Sequence, residues 1–396
     1  ISTTDLIAKA KDFIASDYTT QCTRRSVLAA GLGVFGSTSA VFATPSLENY
    51  DPAAYSTLPT AGRQYLPVLL PPLYRRPTYR YDLGRGAWAF EQPLLTGLPG
   101  AIATIRTNVV RMGDGSLWVL APQWPTGELC ALLDELGVVA HIVLPTTAWE
   151  HAAPVKGFVS RYPKASVWVS PGQNGPFGTC GLTAMSAKQM PYRVDGVLPI
   201  GVPSADDFLP PWASEFDFRM VYVDLEGNPG PYSEAAFYHR PTKTLLVIDA
   251  FIWMPESEPP ILEPYSNKLK SSELGVFSSL DTNTDKSFTD KSLTGLGRPL
   301  ALSALLDTRA PRSFKQWFKQ IETLGPFDRI LTAHYASPIT ASSSDLAAAL
   351  NNTYAYLDGE KVECSSNREF WNQVNDVIEI NKLAAPVALD YRKGCR

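Results

Sequence analysis

The sequence predicts a layered α/β fold in which stacked β-sheets are covered by helices. Hairpins with short turns alternate along the chain with strand–helix–strand units, and both patterns belong to sheets that pack against helices. Hydrophobic residues make up 45% of the 396 residues and charged residues 19%, so most of the chain is able to bury a core.

The first half of the predicted domain contains one hairpin followed by alternating helices and strands. The stretch TNVVRMGDGSLWVLAP is apolar on both sides of the GDG sequence at 113–115, which predicts two strands joined by a tight turn. Leucines at helical spacing predict a helix over 126–136. A strand over 138–144, a helix over 149–162 and a strand over 165–170 follow.

The second half predicts another hairpin, then further helices and a strand. The hairpin lies in EAAFYHRPTKTLLVIDA and turns at Pro241. The other predicted elements are a strand over 217–224, a helix over 313–324, a strand over 328–333 and helices near 343–357 and 368–382. Two loop-rich polar inserts, at 171–213 and 256–298, interrupt this half.

The charge balance and the cysteines exclude several classes of function. A net charge of −4 and a pI near 5.7 give no electrostatic reason to bind nucleic acid. The five cysteines show no CxxC or Cys/His spacing, which excludes a zinc ribbon or a thioredoxin-like motif. Cys364 and Cys395 lie near the C-terminus, and their spacing is compatible with a disulfide and equally with two free thiols.

Four residues that are able to bind a metal follow predicted strands. Glu150 and His151 follow the strand over 138–144, Asp249 ends the stretch TLLVIDA, and His334 ends the last strand. Sites form at the carboxyl ends of strands in layered α/β folds, where a rigid sheet holds each side chain. Two imidazoles and two carboxylates form a ligand set that zinc, iron or manganese accepts.

Each of these residues also has a structural interpretation when it is taken alone. Glu150 near a helix N-terminus favours the helix macrodipole. His151 could hydrogen-bond within its loop, Asp249 could cap a turn, and His334 could pack beneath the C-terminal helices.

Four stretches carry a resemblance to a known family: YRYDLGRGAWAFEQPL, RMGDGSLWVLAP, HIVLPTTAWEH and FYHRPTKTLLVIDA. They resemble an uncharacterised family of plastid and cyanobacterial proteins related to the metallo-β-lactamase fold. The resemblance covers residues 76–340 and implies an αββα sandwich, in which two mixed sheets are flanked by helices. It does not indicate a substrate.

The resemblance implies that the first of the two metal sites of this superfamily is lost. Its histidine positions correspond here to Thr146, Ala148 and a position near Gly230. The chain has four histidines whereas the full dinuclear site needs five, so a standard two-metal hydrolase is excluded. The histidines outside the motif, His141 and His239, are interpreted as structural or exposed.

The resemblance implies that the second metal site of the superfamily is still chemically possible. Its positions hold Glu150, His151 and His334, with Asp249 as the bridging ligand. Glutamate replaces the usual aspartate and is longer by about 1.5 Å, whereas metal–ligand distances tolerate only about 0.2 Å. The loop around Glu150 therefore has to compensate, and the expected cofactor is one zinc, iron or manganese ion.

Residues 23–43, TRRSVLAAGLGVFGSTSAVFA, have the pattern of a twin-arginine export signal with a small-residue cleavage site. The eighteen uncharged residues 26–43 also suffice to cross a bilayer. The segment therefore predicts membrane contact through 26–43, as a signal or as a retained single-pass anchor. Basic residues before it and acidic residues after it predict a stromal or cytoplasmic N-terminus.

The predicted organisation has five segments. They are an amphipathic segment at 1–20, the signal or anchor at 21–44, a Pro/Tyr/Arg-rich extended arm at 45–95, the metallo-β-lactamase-like domain at 96–340 and a C-terminal helical extension at 341–396. The first residue is Ile rather than Met, which leads us to expect a preceding segment such as a plastid transit peptide.

Two functional interpretations follow. The favoured one is a non-catalytic or weakly active member of the fold that serves as an accessory or assembly subunit of a thylakoid membrane complex, such as a photosystem. Its body would lie in the lumen of the chloroplast thylakoid, or in the cyanobacterial equivalent. The alternative is a mononuclear metal-dependent hydrolase, or a related oxidoreductase, that acts on an unknown small substrate. The lost first site and the long Pro-rich segments favour the accessory role, and the acidic balance disfavours a nuclease.

Overall fold

The computed structural model describes most of the predicted domain. The described residues are 77–95, 102–173, 190–225, 231–255, 259–262, 295–299, 302, 306–354, 357, 375 and 386–388. The predicted N-terminal segments 1–20 and 21–44, Cys364 and Cys395 lie outside them. Within the described part of the chain, no helix combines the length and apolar character that a membrane crossing requires.

The first sheet has seven strands in sequence order. They are β1 Tyr79–Asp82, β2 Ala87–Leu95, β3 Ile102–Arg111, β4 Leu117–Leu120, β5 Val139–Leu144, β6 Ser166–Val169 and β7 Gly196–Val197. The first four strands pair in antiparallel fashion and the last four in parallel fashion. Helix α1 Gly127–Asp134 connects β4 to β5, and helices α2 Trp149–Ala152 and α3 Val155–Arg161 connect β5 to β6.

The second sheet has five strands and is also mixed. Its order is β14-β13-β10-β9-β8, with β8 Phe216–Val223, β9 Tyr232–His239, β10 Thr244–Leu246, β13 Arg329–Leu331 and β14 Ile339–Thr340. Strands β10 and β13 are parallel, and the other neighbours are antiparallel. Helix α4 Pro311–Glu322 precedes β13, and helix α5 Ser343–Tyr354 follows β14. A separate two-stranded ribbon pairs β11 Ile252–Met254 with β12 Gly295–Gly297.

The two sheets face each other across a shared aromatic core. This core includes Trp118 and Trp168 of the first sheet together with Phe218, Phe237 and Leu246 of the second. The ring of Trp118 also stacks on Phe216, with 4.3 Å between the ring centroids. Such aromatic pairs contribute about 0.5–1.5 kcal/mol beyond the area that they bury, so the interior between the sheets is firmly fixed.

Helices cover the outer face of each sheet. Residues Leu129, Leu133 and Phe158 of α1 and α3 share a core with Ile142 and Val167 of the first sheet. Residues Phe314, Trp317 and Leu346 of α4 and α5 share another with Ala236 and Leu245 of the second sheet. The layers are therefore helix, sheet, sheet, helix, which agrees with the two mixed sheets and flanking helices that the sequence predicts.

The predicted extended arm at 45–95 is wrong in its last part. Residues 79–95 form β1 and β2, and β2 pairs with β3 over its whole length. Pro93 concealed this strand because proline cannot donate a ladder hydrogen bond. It is tolerated because β1 pairs with β2 only as far as Glu91, which leaves this side of Pro93 without a strand partner among the described residues.

Three further boundaries differ from the sequence prediction. The helix predicted over 149–162 is split into α2 and α3, and Pro154 is the N-cap of the second, because proline does not continue a helix. The insert predicted at 171–213 contributes β7 to the first sheet. The insert predicted at 256–298 ends in β12, which pairs with β11.

Candidate metal centre

The four residues that the sequence singles out lie together in the structure. Glu150, His151, Asp249 and His334 each offer one ligand atom, and these atoms all lie within 4.8 Å of one another. Glu150 is half-buried, whereas the other three residues are buried. We call these four residues the acid–histidine cluster. The structure therefore brings them to one place, and their role as metal ligands stays a prediction.

Distances within the acid–histidine cluster suit a single ion. His334 Nε2 lies 2.9 Å from Asp249 Oδ1, and His151 Nε2 lies 3.9 Å from the same oxygen. Zinc bonds of about 2.0–2.2 Å in a tetrahedral arrangement separate ligand atoms by roughly 3.4 Å. The observed separations lie on either side of that value, so small side-chain movements suffice to close the site around an ion.

A short turn after β5 presents Glu150 and His151. The hydroxyl of Thr146 accepts a hydrogen bond from the backbone N–H of Ala148 at 3.1 Å, a local side-chain turn that competes with continued strand structure. The N–H of His151 then bonds to the carbonyl of Ala148 at 3.2 Å.

The other two cluster residues do not end their strands, as the sequence suggested, but lie beyond them. Strand β10 ends at Leu246 and β13 at Leu331, so Asp249 and His334 belong to the turns that follow. Their backbones are held instead by hydrogen bonds to side chains and to neighbouring strands.

His334 is oriented by a backbone carbonyl of the first sheet. Its Nδ1 lies 2.6 Å from the carbonyl oxygen of Thr104, and because a carbonyl only accepts, Nδ1 carries the proton. Nε2 is thereby directed towards Asp249, which is the arrangement found for histidines that bind metals. Tyr335 follows with a left-handed φ of 55°, and its N–H donates to the Thr104 hydroxyl at 2.7 Å.

Three buried polar atoms of the acid–histidine cluster lack hydrogen-bond partners among the described residues. They are His151 Nδ1, His151 Nε2 and Asp249 Oδ2. Leaving a buried polar group unpaired costs about 1–3 kcal/mol, and a structure rarely tolerates several in one place. Imidazole nitrogens and carboxylate oxygens are ligands of zinc, iron and manganese, so the unpaired atoms fit a metal ion.

The two charged groups of the cluster stabilise each other. Burial alone would raise the pKa of Asp249, but the neighbouring imidazoles of His151 and His334 hold that pKa well below its usual range. Burial would lower the pKa of His334, whereas Asp249 raises it above the usual value. Asp249 is therefore ionised, and metal binding at this cluster would require any proton on His334 Nε2 to leave.

Two buried residues beside the cluster were not predicted from the sequence. Glu234 accepts hydrogen bonds from the backbone around Asp249, and burial followed by the charge of Asp249 raises its pKa to about 7. Arg298 donates to the carbonyl of Asp249 at 3.2 Å. An acid inside the apolar strand YSEAAFYH was the available signal for Glu234, whereas Arg298 lay in a predicted insert.

Thr146, one of the positions that the sequence analysis assigns to the lost metal site, belongs to a hydrogen-bonded network. The carbonyl of Thr146 accepts from Gln173 Nε2 at 2.9 Å, and the same nitrogen donates to the Ser170 hydroxyl at 2.9 Å. The hydroxyls of Ser170 and Ser233 are hydrogen-bonded at 2.9 Å. We call Thr146, Ser170, Gln173 and Ser233 the hydroxyl network, and the position near Gly230 lies outside the described residues.

The remaining histidines lie outside the acid–histidine cluster. His141 Nδ1 is hydrogen-bonded to the Ser166 hydroxyl at 2.7 Å between two strands of the first sheet. His239 is buried and contacts Thr242 through Nδ1 at 2.7 Å and Glu215 through Nε2 at 3.3 Å. Both have structural partners, in line with the sequence interpretation.

Comparisons with known proteins give a family but not an activity. A family model described as "Domain of unknown function (DUF4336)" matches residues 85–294, more than half of the chain. A search of curated proteins finds no significant match.

Several solved structures are similar over much of their length. One is a metallo-β-lactamase from Hirschia baltica, with 11% identity and a TM-score of 0.37, covering 70% of this chain and 97% of that one. Another is the metallo-β-lactamase FIM-1 from Pseudomonas aeruginosa in a mono-zinc form, with 7% identity and a TM-score of 0.39, covering 72% and 96%.

Proposed function

We propose that this chain, which belongs to the DUF4336 family, binds one metal ion through Glu150, His151, Asp249 and His334. The observation that carries the proposal is the coincidence of ligand atoms within 4.8 Å of one another with three unpaired buried atoms in the same residues. The ion is zinc, iron or manganese, because the set combines two imidazoles with two carboxylates. The αββα layering supports a metallo-β-lactamase-like framework.

The ligand count favours a site that serves structure or assembly more than catalysis. Catalytic zinc sites usually keep one position for water, whereas structural sites are filled by four protein ligands. Four protein ligands are available here, and His151, Asp249 and His334 are buried. A filled coordination sphere supports a non-catalytic or weakly active protein.

The accessory role at a thylakoid membrane is a further part of this proposal. It rests on the twin-arginine-like segment 23–43, on membrane contact through 26–43 and on the loss of the first metal site at Thr146 and Ala148. The partner would be a photosynthetic membrane complex such as a photosystem, with the folded body in the lumen and the N-terminus in the stroma.

A mononuclear hydrolase, or a related oxidoreductase, is the second candidate. It is favoured by Glu150, the one member of the cluster that is not buried, which lies on the four-residue helix α2. If Glu150 moved aside, one coordination position would face solvent. A metal ion bound there would supply Lewis acidity and lower the pKa of a water ligand. In that case His151, Asp249 and His334 would hold the ion while Glu150 was free to accept a proton.

Metal content tests the binding proposal. Purified parent protein is analysed by mass spectrometry for bound metals beside a His151→Ala/His334→Ala variant and a His141→Gln control. We expect about one ion per chain in the parent and the control and none in the double variant. A parent protein that takes up no ion when zinc, iron and manganese are each supplied would contradict the proposal.

Membrane fractionation tests the accessory role separately. Membranes of a photosynthetic cell that produces the full chain are washed with carbonate, and the retained protein is followed on native gels. We expect retention in the membrane and migration with a complex larger than the chain. A freely soluble monomer would contradict the accessory role and leave the hydrolase as the better proposal.

A further inference from the structure

The turn that carries Asp249 is held from two sides by buried charged side chains. We call residues 248–250 the Asp249 turn. On one side, a single oxygen of Glu234, Oε1, accepts the backbone N–H groups of Ile248 at 3.0 Å, Asp249 at 3.0 Å and Ala250 at 2.9 Å. Consecutive N–H groups that converge on one anion form a concave backbone shape, so the carboxylate sets the course of this turn.

Glu234 is itself fixed. It is fully buried in β9, and its second oxygen, Oε2, accepts the hydroxyl of Tyr232 at 2.6 Å. A carboxylate with hydrogen bonds to both oxygens has little freedom to rotate. The rigid strand β9 is therefore the support on which the Asp249 turn rests.

Arg298 holds the opposite side of the turn through the carbonyl groups. Its Nη1 donates to the carbonyls of Asp249 at 3.2 Å and Ala250 at 2.5 Å. Its other nitrogens donate to both oxygens of Asp307, Nε at 3.0 Å and Nη2 at 2.6 Å. A planar guanidinium can serve both partners at once, which a lysine ammonium cannot.

The support for Arg298 extends into both helices of the outer layer. The guanidinium lies over the rings of Phe314 and Phe318 of α4, at 5.4 and 4.9 Å from their centroids. The hydroxyl of Tyr354 in α5 donates to Asp307 at 2.8 Å. The Asp249 turn is thus tied to β9 on one side and to α4 and α5 on the other.

We infer that Glu234 and Arg298 are positioning residues that aim the Asp249 carboxylate at the metal. The N–H and the carbonyl of Asp249 are each held by one of them, so the direction of its Cα–Cβ bond is fixed. That direction places Oδ1 2.9 Å from His334 Nε2 and leaves Oδ2 without a partner among the described residues. The inference rests on the proposed metal binding and adds the residues that prepare the site for it.

Cobalt titration of the metal-free protein tests the inference, because the absorption of Co²⁺ reports the number and arrangement of ligands. The variants are Glu234→Gln, which keeps the shape and one oxygen acceptor, and Glu234→Ala, which removes the support. Leu133→Ala is the matched control, because it opens a cavity in the outer layer of the first sheet, in another of the three cores. Circular dichroism shows that each variant is folded.

We expect Glu234→Gln to bind Co²⁺ within about threefold of the parent and with its spectrum. Glu234→Ala should bind about 10–100-fold more weakly, as expected when a residue that orients a ligand is lost, and its spectrum should change. The Leu133→Ala control should unfold at a lower temperature but keep the parent spectrum and affinity. This contrast separates positioning from a merely structural role.

Two results would overturn the inference in different ways. A parent protein that binds no Co²⁺ would refute the proposed function, and the inference with it. A parent that binds Co²⁺ beside a folded Glu234→Ala variant of unchanged affinity and spectrum would refute the inference alone. If Glu234→Ala does not fold, the Arg298→Lys variant is tested in its place. Its affinity for Co²⁺ should be about 10-fold weaker than that of the parent, and parent-like binding would overturn the inference.

Discussion

The acid–histidine cluster and the hydroxyl network are two neighbouring polar regions. They differ in whether their polar atoms have hydrogen-bond partners. Glu150 and His151 of the first lie only a few residues after Thr146 of the second, and Ser233 of the network precedes Glu234 in β9. Every member of the network makes at least one hydrogen bond. The cluster instead keeps unpaired nitrogen and oxygen atoms among the described residues.

The two regions differ in whether their polar groups have partners. Hydroxyl and amide groups satisfy one another in the hydroxyl network, so it needs no further ligand. Imidazole and carboxylate groups of the acid–histidine cluster lie around a common position without completing their hydrogen bonding. Burial of unpaired polar groups is costly, and the proposed ion would remove that cost in this region only. Three predictions test this contrast.

The largest expected effect comes from Asp249→Asn. This substitution removes the charge of a buried ligand whose Oδ1 contacts His334, while it keeps the size of the side chain. Metal affinity should fall by at least about 100-fold, beyond the range for residues that only orient ligands. Competition with a chelating dye measures the affinity. Ser233→Ala is the control from the hydroxyl network, and an equal loss there would refute the contrast between the regions.

The second largest effect is expected from removal of the metal. A ligand present at 100 times its Kd stabilises the folded state by about 2.7 kcal/mol. With the metal supplied at that concentration, a chelator should reduce the free energy of unfolding by about that amount. Urea unfolding with and without the chelator measures it. The His151→Ala/His334→Ala variant should show no difference, and a chelator effect of equal size in that variant would place the ion elsewhere.

The smallest effect is expected in the hydroxyl network. Ser233→Ala leaves the carbonyl of Pro171, now hydrogen-bonded to the Ser233 hydroxyl at 2.8 Å, without this partner. The free energy of unfolding should fall by about 1–3 kcal/mol, with metal stoichiometry unchanged. Urea unfolding of the metal-free protein measures this change in the free energy of unfolding without any contribution from the metal. A neutral effect on stability would indicate that the network does not fill the lost site.

Sequence reasoning located the cluster because each member follows an apolar strand, which is a local pattern. Glu150, His151, Asp249 and His334 are all recognisable in this way, whereas the two mixed sheets were implied by the family resemblance. The residues that hold Asp249 in place could not be recognised from the sequence. Glu234 acts across a hairpin, and Arg298 lies in a segment that was interpreted as a polar insert. Such contacts depend on the packing of distant elements and leave no periodic signal.

Some predicted boundaries of strands and helices were wrong for a related reason. The strand containing Pro93 was missed because proline disfavours a ladder position, and only the short pairing of β1 shows why it is tolerated there. The helix over 149–162 was drawn through Pro154, although the local chemistry already argued against it. The strand containing Pro93 depends on tertiary contacts. The break at Pro154 follows from the local rule that proline does not continue a helix.

Anomalous diffraction from crystals grown with zinc would test the central claim most directly. We predict one peak per chain, about 2.0–2.2 Å from one atom each of Glu150, His151, Asp249 and His334, and no peak beside Thr146 and Ser233. A chain with no peak among the four residues, or with a second peak at the hydroxyl network, would contradict the account.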